Sequence, residues 1–183
     1  MDSGKPLLRT GQLVRTLACG FFPVGEDVET AKDFAEIANE DSKFRAGAAV
    51  AGKKWQPALQ ESGVFDVTRL NLSGSPQNAE AYFSFWVSSP RSLEDLLLEP
   101  NLPRVNFQVG QQGPVQIWLN GQKVADRTGN ETNAVAEALR LRSGWNHLLV
   151  KLTHTTEKWE FAAHFTASQP EFIAKMDSSL EKP

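Results

Sequence analysis

Short segments in which apolar and polar residues alternate constrain this 183-residue chain most strongly. The alternation is clear over residues 81–87, 104–109 and 115–119. Because successive side chains of a β-strand point to opposite faces, each segment predicts a strand with one buried face. Turn residues separate the segments, and Asn120-Gly121 is a strong hairpin signal because both positions of a two-residue loop need positive φ. Six or more such strands predict a mainly β fold, an antiparallel β-sandwich.

A short helix is expected near the N-terminus. From residue 28 to residue 39 the apolar residues recur at intervals of three and four, which is the periodicity of a helix with one buried face. Glu26 and Asp27 lie near its start, where negative charge complements the helix dipole. The domain boundaries follow from these patterns: residues 1–12 are predicted to be a linker, residues 13–166 the sandwich domain, and residues 167–183 a C-terminal tail or linker.

The charge balance and the apolar runs argue against two classes of partner. Lys and Arg number 19 against 22 Asp and Glu, a net charge of −3, and no basic run is longer than Lys53-Lys54. Proteins that bind nucleic acid usually carry a clustered basic face, so no nucleic-acid partner is expected. The longest apolar run falls far short of the ~18 residues that a membrane helix needs, so no membrane partner is expected either.

Recognisable catalytic and metal-binding motifs are missing from the sequence. It contains no nucleophile elbow, zinc-protease helix, phosphate-binding loop or dinucleotide fingerprint. The single cysteine, Cys19, excludes an internal disulfide and any multi-cysteine metal cluster. Structural calcium stays open because loop carbonyls and a lone carboxylate can bind it, although no segment has the spacing of a calcium loop. The chain by itself is therefore not expected to be an enzyme, and no cofactor is predicted.

The aromatic residues suggest a different chemistry. The chain has five tryptophans, and a sugar ring stacks its C–H face on such a ring while amides and charged groups bind its hydroxyls. Trp145 and Trp159 are predicted to lie in the core, and Trp118 is expected to pack on the second face of a sheet, under the helix. Trp55, in a Gly-Lys-Lys-Trp-Gln-Pro loop, and Trp86 are left open between packing and binding.

A candidate saccharide surface follows from strand alternation. If Phe83 and Phe85 point into the core, Tyr82 and Trp86 must point away from it. If the strand of residues 104–109 belongs to the same sheet, its outward side chains complete an aromatic and amide surface. Alternatively, the Leu-rich stretch 93–98 covers this face and makes it a second packing layer. The candidate carbohydrate-binding residues are Tyr82, Trp86, Trp55, Arg104, Asn106 and Gln108.

Two motifs carry a resemblance to a known family. The stretch Val115-Gln-Ile-Trp-Leu-Asn-Gly-Gln-Lys-Val124, followed by Ser143-Gly-Trp-Asn-His-Leu-Leu-Val-Lys151, resembles a pair of motifs in galactose-binding-like β-sandwich (jelly-roll) domains. These include the sugar-binding domain of family 2 glycoside hydrolases such as β-galactosidase. The chain is also similar to carbohydrate-binding and accessory domains of large secreted proteins from environmental bacteria. The likeness covers roughly residues 13–166 and implies a jelly-roll fold.

The resemblance implies a function in glycan degradation without catalysis. On this basis the chain is expected to be a carbohydrate-binding or accessory module of a larger protein, with a polysaccharide or oligosaccharide and other domains of that protein as partners. It further implies a secreted or periplasmic location, and the sequence either lacks a secretion signal or begins after one. Two alternatives stay open: a structural or protein-interaction domain with no sugar ligand, and an enzyme that acts on glycans.

Overall fold

The computed structural model describes residues 8–9, 11–24, 41–91, 97–98, 104–129, 133–155 and 158–183. Within these ranges the protein is mainly β, with antiparallel pairing throughout. The helix predicted over residues 28–39 lies outside the described residues. A five-residue α-helix, α1, spans Pro170–Ala174, and short 3-10 helices span Asp41–Lys43 and Val67–Arg69.

The strands are numbered in chain order. They are β1 (Leu8–Arg9), β2 (Gln12–Leu13), β3 (Arg15–Pro23), β4 (Ala49–Val50), β5 (Lys53–Lys54), β6 (Gln56–Leu59), β7 (Val64–Asp66), β8 (Ala79–Ser89), β9 (Val105–Gly110), β10 (Val115–Leu119), β11 (Gln122–Arg127), β12 (Asn133–Ala136), β13 (Gly144–Thr153), β14 (Glu160–Ala167) and β15 (Asp177–Ser179). The first sheet has the order β1-β2-β14-β9-β12, with β7 also paired to β14. The second sheet has the order β11-β10-β13-β8-β3-β6, with β15 also paired to β8. A separate hairpin consists of β4 and β5.

The two large sheets pack face to face around one main core. Phe83 of β8 lies with its ring centroid 4.4 Å from that of Phe161 of β14, and Phe85 lies 5.8 Å from Phe107 of β9. Trp159 is buried beside these rings, as the sequence predicts. The inward residues of both sheets thus form the core that strand alternation requires.

The Asn120-Gly121 hairpin is confirmed. Leu119 of β10 pairs with Gln122 of β11, which leaves a two-residue loop with φ of 50° at Asn120 and 79° at Gly121. Only glycine adopts such a conformation without strain, and asparagine tolerates it better than most residues. The sequence pattern therefore fixes this connection by its local chemistry.

The asparagines of the two sequence motifs bind each other. Asn120 Nδ2 donates to Asn146 Oδ1 over 3.0 Å, and Asn120 Oδ1 accepts the backbone N–H of His147 over 2.9 Å. Asn146 is buried; its Oδ1 also accepts the N–H of Arg142, while its Nδ2 donates to the carbonyls of Arg142 and Gly144. The motifs that carry the resemblance therefore join β10 to the start of β13 and serve the scaffold.

Strands near both ends of the described chain pair with the two large sheets. Within residues 1–12, β1 and part of β2 pair as strands, and Gln12 pairs with His164 of β14. Within residues 167–183, Phe172 and Met176 are buried in the main core, and β15 pairs with β8 where β3 no longer does.

The central strands β3 and β8 of the second sheet are buried on both of their faces. Every residue of β8 from Ala79 to Val87 is buried, whereas β9 of the first sheet alternates between buried and half-buried positions. The outward side of the second sheet carries an apolar group that we call the outer cluster: Leu17, Cys19, Phe22, Phe44, Val50, Trp55, Tyr82 and Leu149. Three of these members, Phe44, Val50 and Trp55, come from the 41–55 segment, which forms a third layer.

Candidate functional site

The three aromatic candidates are buried. Tyr82, Trp86 and Trp55 expose 1%, 3% and 1% of their surface. Strand alternation correctly placed Tyr82 and Trp86 on the face opposite Phe83, but that face is covered by the chain itself. In this structure the aromatic side chains do not form an open saccharide platform.

Phe44 and Trp55 of the 41–55 segment cover part of this aromatic face. The ring of Phe44 lies 4.1 Å from that of His147 and 5.8 Å from that of Trp55, and the ring of Trp86 lies 4.7 Å from that of His147. Of the Leu-rich stretch 93–98, only Leu97 and Leu98 are described, and they are 83% and 73% exposed. The 41–55 segment and the C-terminal residues form the cover over this face.

The polar candidates lie on the other sheet. Arg104 precedes β9 and is exposed, while Asn106 and Gln108 are half-buried on the outward side of β9. Asn106 Oδ1 accepts the backbone N–H of Ala138 over 2.8 Å, and Gln108 pairs with the exposed His164 of β14. We call this polar surface the amide face: Arg104, Asn106, Gln108 and His164. Because β8 and β9 belong to different sheets, the aromatic and polar candidates do not form one surface.

The structure brings one nucleophile and base pair together. Ser84 Oγ and His147 Nε2 lie 2.8 Å apart on the outward side of β8 and β13. A serine beside a histidine is the first element of many hydrolase sites. Here, however, Ser84 is completely buried and Phe44 packs on the imidazole of His147. The pair faces packed side chains, so its hydrogen bond satisfies two buried polar groups.

A buried ion pair lies farther along the same face. Lys151 Nζ lies 2.7 Å from Glu80 Oε2, with side-chain exposures of 8% and 3%. Thr153 Oγ1 donates to Glu80 Oε1 over 3.2 Å. Two charges this deeply buried need each other, because either charge alone in the same place would be strongly destabilising.

A half-exposed tryptophan with polar neighbours lies on β10, the second strand from one edge of the second sheet. Trp118 of β10 packs one side against the outer cluster and is only half-buried. Lys123 of β11 lies opposite Trp118, with its ammonium 5.5 Å from the ring centroid. Asp126 Oδ2 accepts hydrogen bonds from Lys123 Nζ over 2.8 Å and from Gln116 Nε2 over 3.1 Å. We call this group the Trp118 patch: Gln116, Trp118, Lys123 and Asp126.

The carboxyl of Asp126 in the Trp118 patch has a lowered pKa. The hydrogen bond from Lys123 is the main cause that lowers the pKa of Asp126, opposed by partial desolvation and assisted by Gln116 and by the charges of Lys123 and Lys151. Asp126 is therefore ionised at neutral pH, and it offers a carboxylate acceptor next to an ammonium donor. The patch thus combines an aromatic ring with fixed donors and acceptors.

The polar members of this patch are not evident from the sequence pattern. A two-residue hairpin loop with unbroken register would place Ala125 opposite Gln116, but a β-bulge between Ile117 and Trp118 shifts the register and brings Asp126 there. Lys123 opposite Trp118 could have been found from the loop length alone. Trp145, predicted to be core, is half-buried and shares the outward side with His147.

In the ranges given above, no group of three or more His, Cys, Asp or Glu side chains is arranged to hold a metal ion. None of the helices in that part of the chain has the length and apolar character needed to cross a membrane.

Comparison with known proteins finds no matching family model and no similar curated protein. Among solved structures, the chain is similar to a β-glucuronidase from an uncultured Clostridium species, at 10% identity and a TM-score of 0.45, over 90% of this chain and 31% of that chain. The chain is also similar to a β-glucuronidase from Faecalibacterium prausnitzii, at 14% identity and a TM-score of 0.45, over 82% of this chain and 22% of that chain. Its likeness to a β-glucosidase from Kluyveromyces marxianus in complex with glucose has 12% identity and a TM-score of 0.46, over 92% of this chain and 17% of that chain.

The chain spans less than a third of the length of each of these glycoside hydrolases. With TM-scores below 0.5, these likenesses do not establish a function for it.

Proposed function

We propose that this chain is a non-catalytic carbohydrate-binding accessory domain of a larger, secreted glycan-degrading protein, and that it binds saccharide at the Trp118 patch. We also assign the sandwich to the jelly-roll, galactose-binding-like type. The support for this assignment is the motif pair around Asn120 and Asn146, whose side chains bind each other in the structure.

The observation that carries the proposal is the setting of Trp118. Its ring is half-exposed, it stands on a strand in the middle of a hydrogen-bonded ladder, and the neighbouring Asp126 accepts hydrogen bonds from two side chains. Binding groups on rigid strands are positioned more accurately than groups on loops. A sugar ring could stack on Trp118 while Lys123 donates to one hydroxyl and Asp126 accepts from the next.

Lys123 must move to admit such a ligand. Its side chain is exposed and its four-carbon stem is flexible, so the ammonium can leave the indole face at small cost and bind a hydroxyl oxygen instead. The amide face is also accessible, but its four residues include no tryptophan, tyrosine or phenylalanine. We therefore place the main contact at Trp118 rather than at Arg104, Asn106 and Gln108.

A glycan array followed by affinity electrophoresis on soluble plant polysaccharides tests the proposal. We expect the wild-type chain to bind, and Trp118→Ala to weaken binding by about 1–3 kcal/mol, the range known for stacking of a base on an aromatic ring. Trp145→Ala is the matched control, since it also removes a half-buried tryptophan from the same side of the second sheet. It should leave binding unchanged.

Thermal melts must show that both variants are folded. Absence of binding by the wild-type chain, or equal binding by Trp118→Ala and wild type, contradicts the proposal. The first result would favour a structural or protein-interaction domain, for which the buried state of Tyr82, Trp86 and Trp55 is the supporting observation.

A further inference from the structure

The C-terminal residues 180–183, which we call the cover segment, lie over Trp86. Strand β15 ends at Ser179, which pairs with Trp86, and the chain then crosses the outward side of the second sheet. Leu180 packs against the outer cluster, Glu181 Oε1 accepts the backbone N–H of Ala46 over 2.9 Å, and Lys182 Nζ lies 5.7 Å from the Trp86 ring centroid. The cover segment thus fills the space that a ligand of Trp86 would need.

Trp86 retains an unsatisfied hydrogen-bond donor beneath this cover. Its indole Nε1 is buried and has no acceptor, although the ring is only 3% exposed. Buried tryptophan N–H groups usually find a partner, because an unpaired buried donor is costly. An acceptor brought to this position would satisfy the indole N–H.

The cover segment is held less firmly than the strands around it. In the described part of the chain, residues 180–183 lie outside regular secondary structure, and the last three of them are exposed. Their contacts with the outward side of the second sheet include the half-buried Leu180, the Glu181 hydrogen bond and the Lys182 ammonium near an aromatic ring. Segments with few buried contacts open at the lowest free energy, so displacement need not disturb the sheets.

We infer that Trp86 is a second saccharide subsite, which the cover segment closes and a pyranose ring opens by displacement. This inference deepens the proposed function, on which its ligand class rests. A sugar can replace Lys182 on the indole because the two make similar contacts. The ammonium presents a positive charge to the negative face of the indole, and the C–H face of a sugar presents partial positive charges to it. A sugar hydroxyl oxygen would in addition accept the unsatisfied indole N–H.

The test uses a variant of the full chain in which the contacts of the cover segment are removed. The variant Leu180→Ser/Glu181→Ala/Lys182→Ala removes the three contacts, and Lys175→Ala, an exposed change after α1, is the matched control. The first readout is acrylamide quenching of tryptophan fluorescence, which needs no ligand. We expect stronger quenching in the cover variant, no change in the control, and no increase when Trp86→Phe is combined with the cover variant.

The second readout is calorimetric titration with cellohexaose, xylohexaose and mannohexaose. We expect the cover variant to bind at least one of them about fivefold more tightly than wild type, and Trp86→Phe to abolish this gain. Unchanged quenching, or increased quenching without a gain in affinity that depends on Trp86, overturns the inference.

The Trp118→Ala change separates this inference from the proposed function. If the Trp118 patch binds and the cover variant adds nothing, only the inference fails. If Trp118→Ala leaves binding unchanged while the gain through Trp86 appears, the assignment of the main site to Trp118 fails and the inference stands.

Discussion

On the first sheet the outward residues Asn106 and Gln108 stay half-exposed, while on the second sheet the outward residues Tyr82 and Trp86 are buried. Both strands alternate in sequence, so alternation alone does not distinguish the two situations. The difference lies in what covers each face. The 41–55 segment and the cover segment add a third layer over the second sheet, whereas Arg104 and His164 on the amide face are exposed.

This difference shows what outward-facing aromatic residues mean in a sandwich. Polar outward residues such as Gln108 can stay at the surface without a partner element, whereas a row of aromatic rings favours a third layer because its burial contributes roughly 25 cal/mol per Å². The outer cluster is therefore better described as a second core than as a binding platform. The Trp118 patch lies where this second core ends and solvent begins.

The largest expected effect is at the centre of the outer cluster. Trp55→Ala should lower the free energy of unfolding by about 3–5 kcal/mol, because it leaves a cavity under Phe44. Gln108→Ala on the amide face should change it by no more than about 0.5 kcal/mol. Urea denaturation of both variants measures the difference, and a loss of less than about 1 kcal/mol for Trp55→Ala contradicts the second core.

An intermediate effect is expected at the buried ion pair. Lys151→Met leaves the Glu80 carboxylate buried without its ammonium and should cost about 3 kcal/mol. Lys123→Met, in the exposed pair with Asp126, should cost no more than about 0.5 kcal/mol. Equal melting temperatures for these two variants would show that the covering layer does not exclude water from Glu80.

The smallest effect concerns the protonation of Asp126. Lys123→Met should raise the pKa of Asp126 toward its ordinary value, because the Lys123 hydrogen bond is the main cause of the lowered pKa. A carboxyl with a lowered pKa stabilises the fold above its unfolded-state pKa, and this contribution is lost as the pH falls through the folded-state pKa. A carboxyl NMR titration of wild type and variant measures the change; identical titration midpoints would exclude the pair as its cause.

The sequence predicted the local features of this fold better than the long-range ones. It predicted correctly the Asn120-Gly121 loop and the opposite orientations of Phe83 and Tyr82, because both depend on neighbouring residues. It could not assign β8 and β9 to different sheets, because pairing between distant strands is not visible in a strand's own pattern. Whether Trp86 is buried stayed open for the same reason, since Lys182, whose ammonium lies near its ring, is more than ninety positions away.

The candidate site shows the same limit. Trp118 was predicted to lie on the second face of the sheet. Asp126, however, lies opposite Gln116 only because of a β-bulge, and no residue in the sequence signals that bulge. The Ser84 and His147 pair likewise depends on the register between β8 and β13. The sequence therefore predicted which residue types could bind a sugar, but it did not predict which of them lie next to one another.

Cys19 offers the most direct test of the central claim, that the outward face of the second sheet is a closed second core. It is the chain's one cysteine and a fully buried member of the outer cluster. Burial raises the pKa of its thiol to about 12, against the smaller opposing influences of Lys53 and the Gly20 backbone. The fold therefore keeps this thiol protonated, and the associated stability is present below the unfolded-state pKa and lost as the pH rises toward 12.

The measurement is the rate at which the native protein reacts with a disulfide reagent at pH 8, compared with the rate in guanidinium chloride. Since the thiolate is the reactive form, we expect a single thiol that reacts within minutes when unfolded and stays unmodified for hours when native. A native rate close to that of the unfolded chain would show that the outer cluster is open, and would contradict the account.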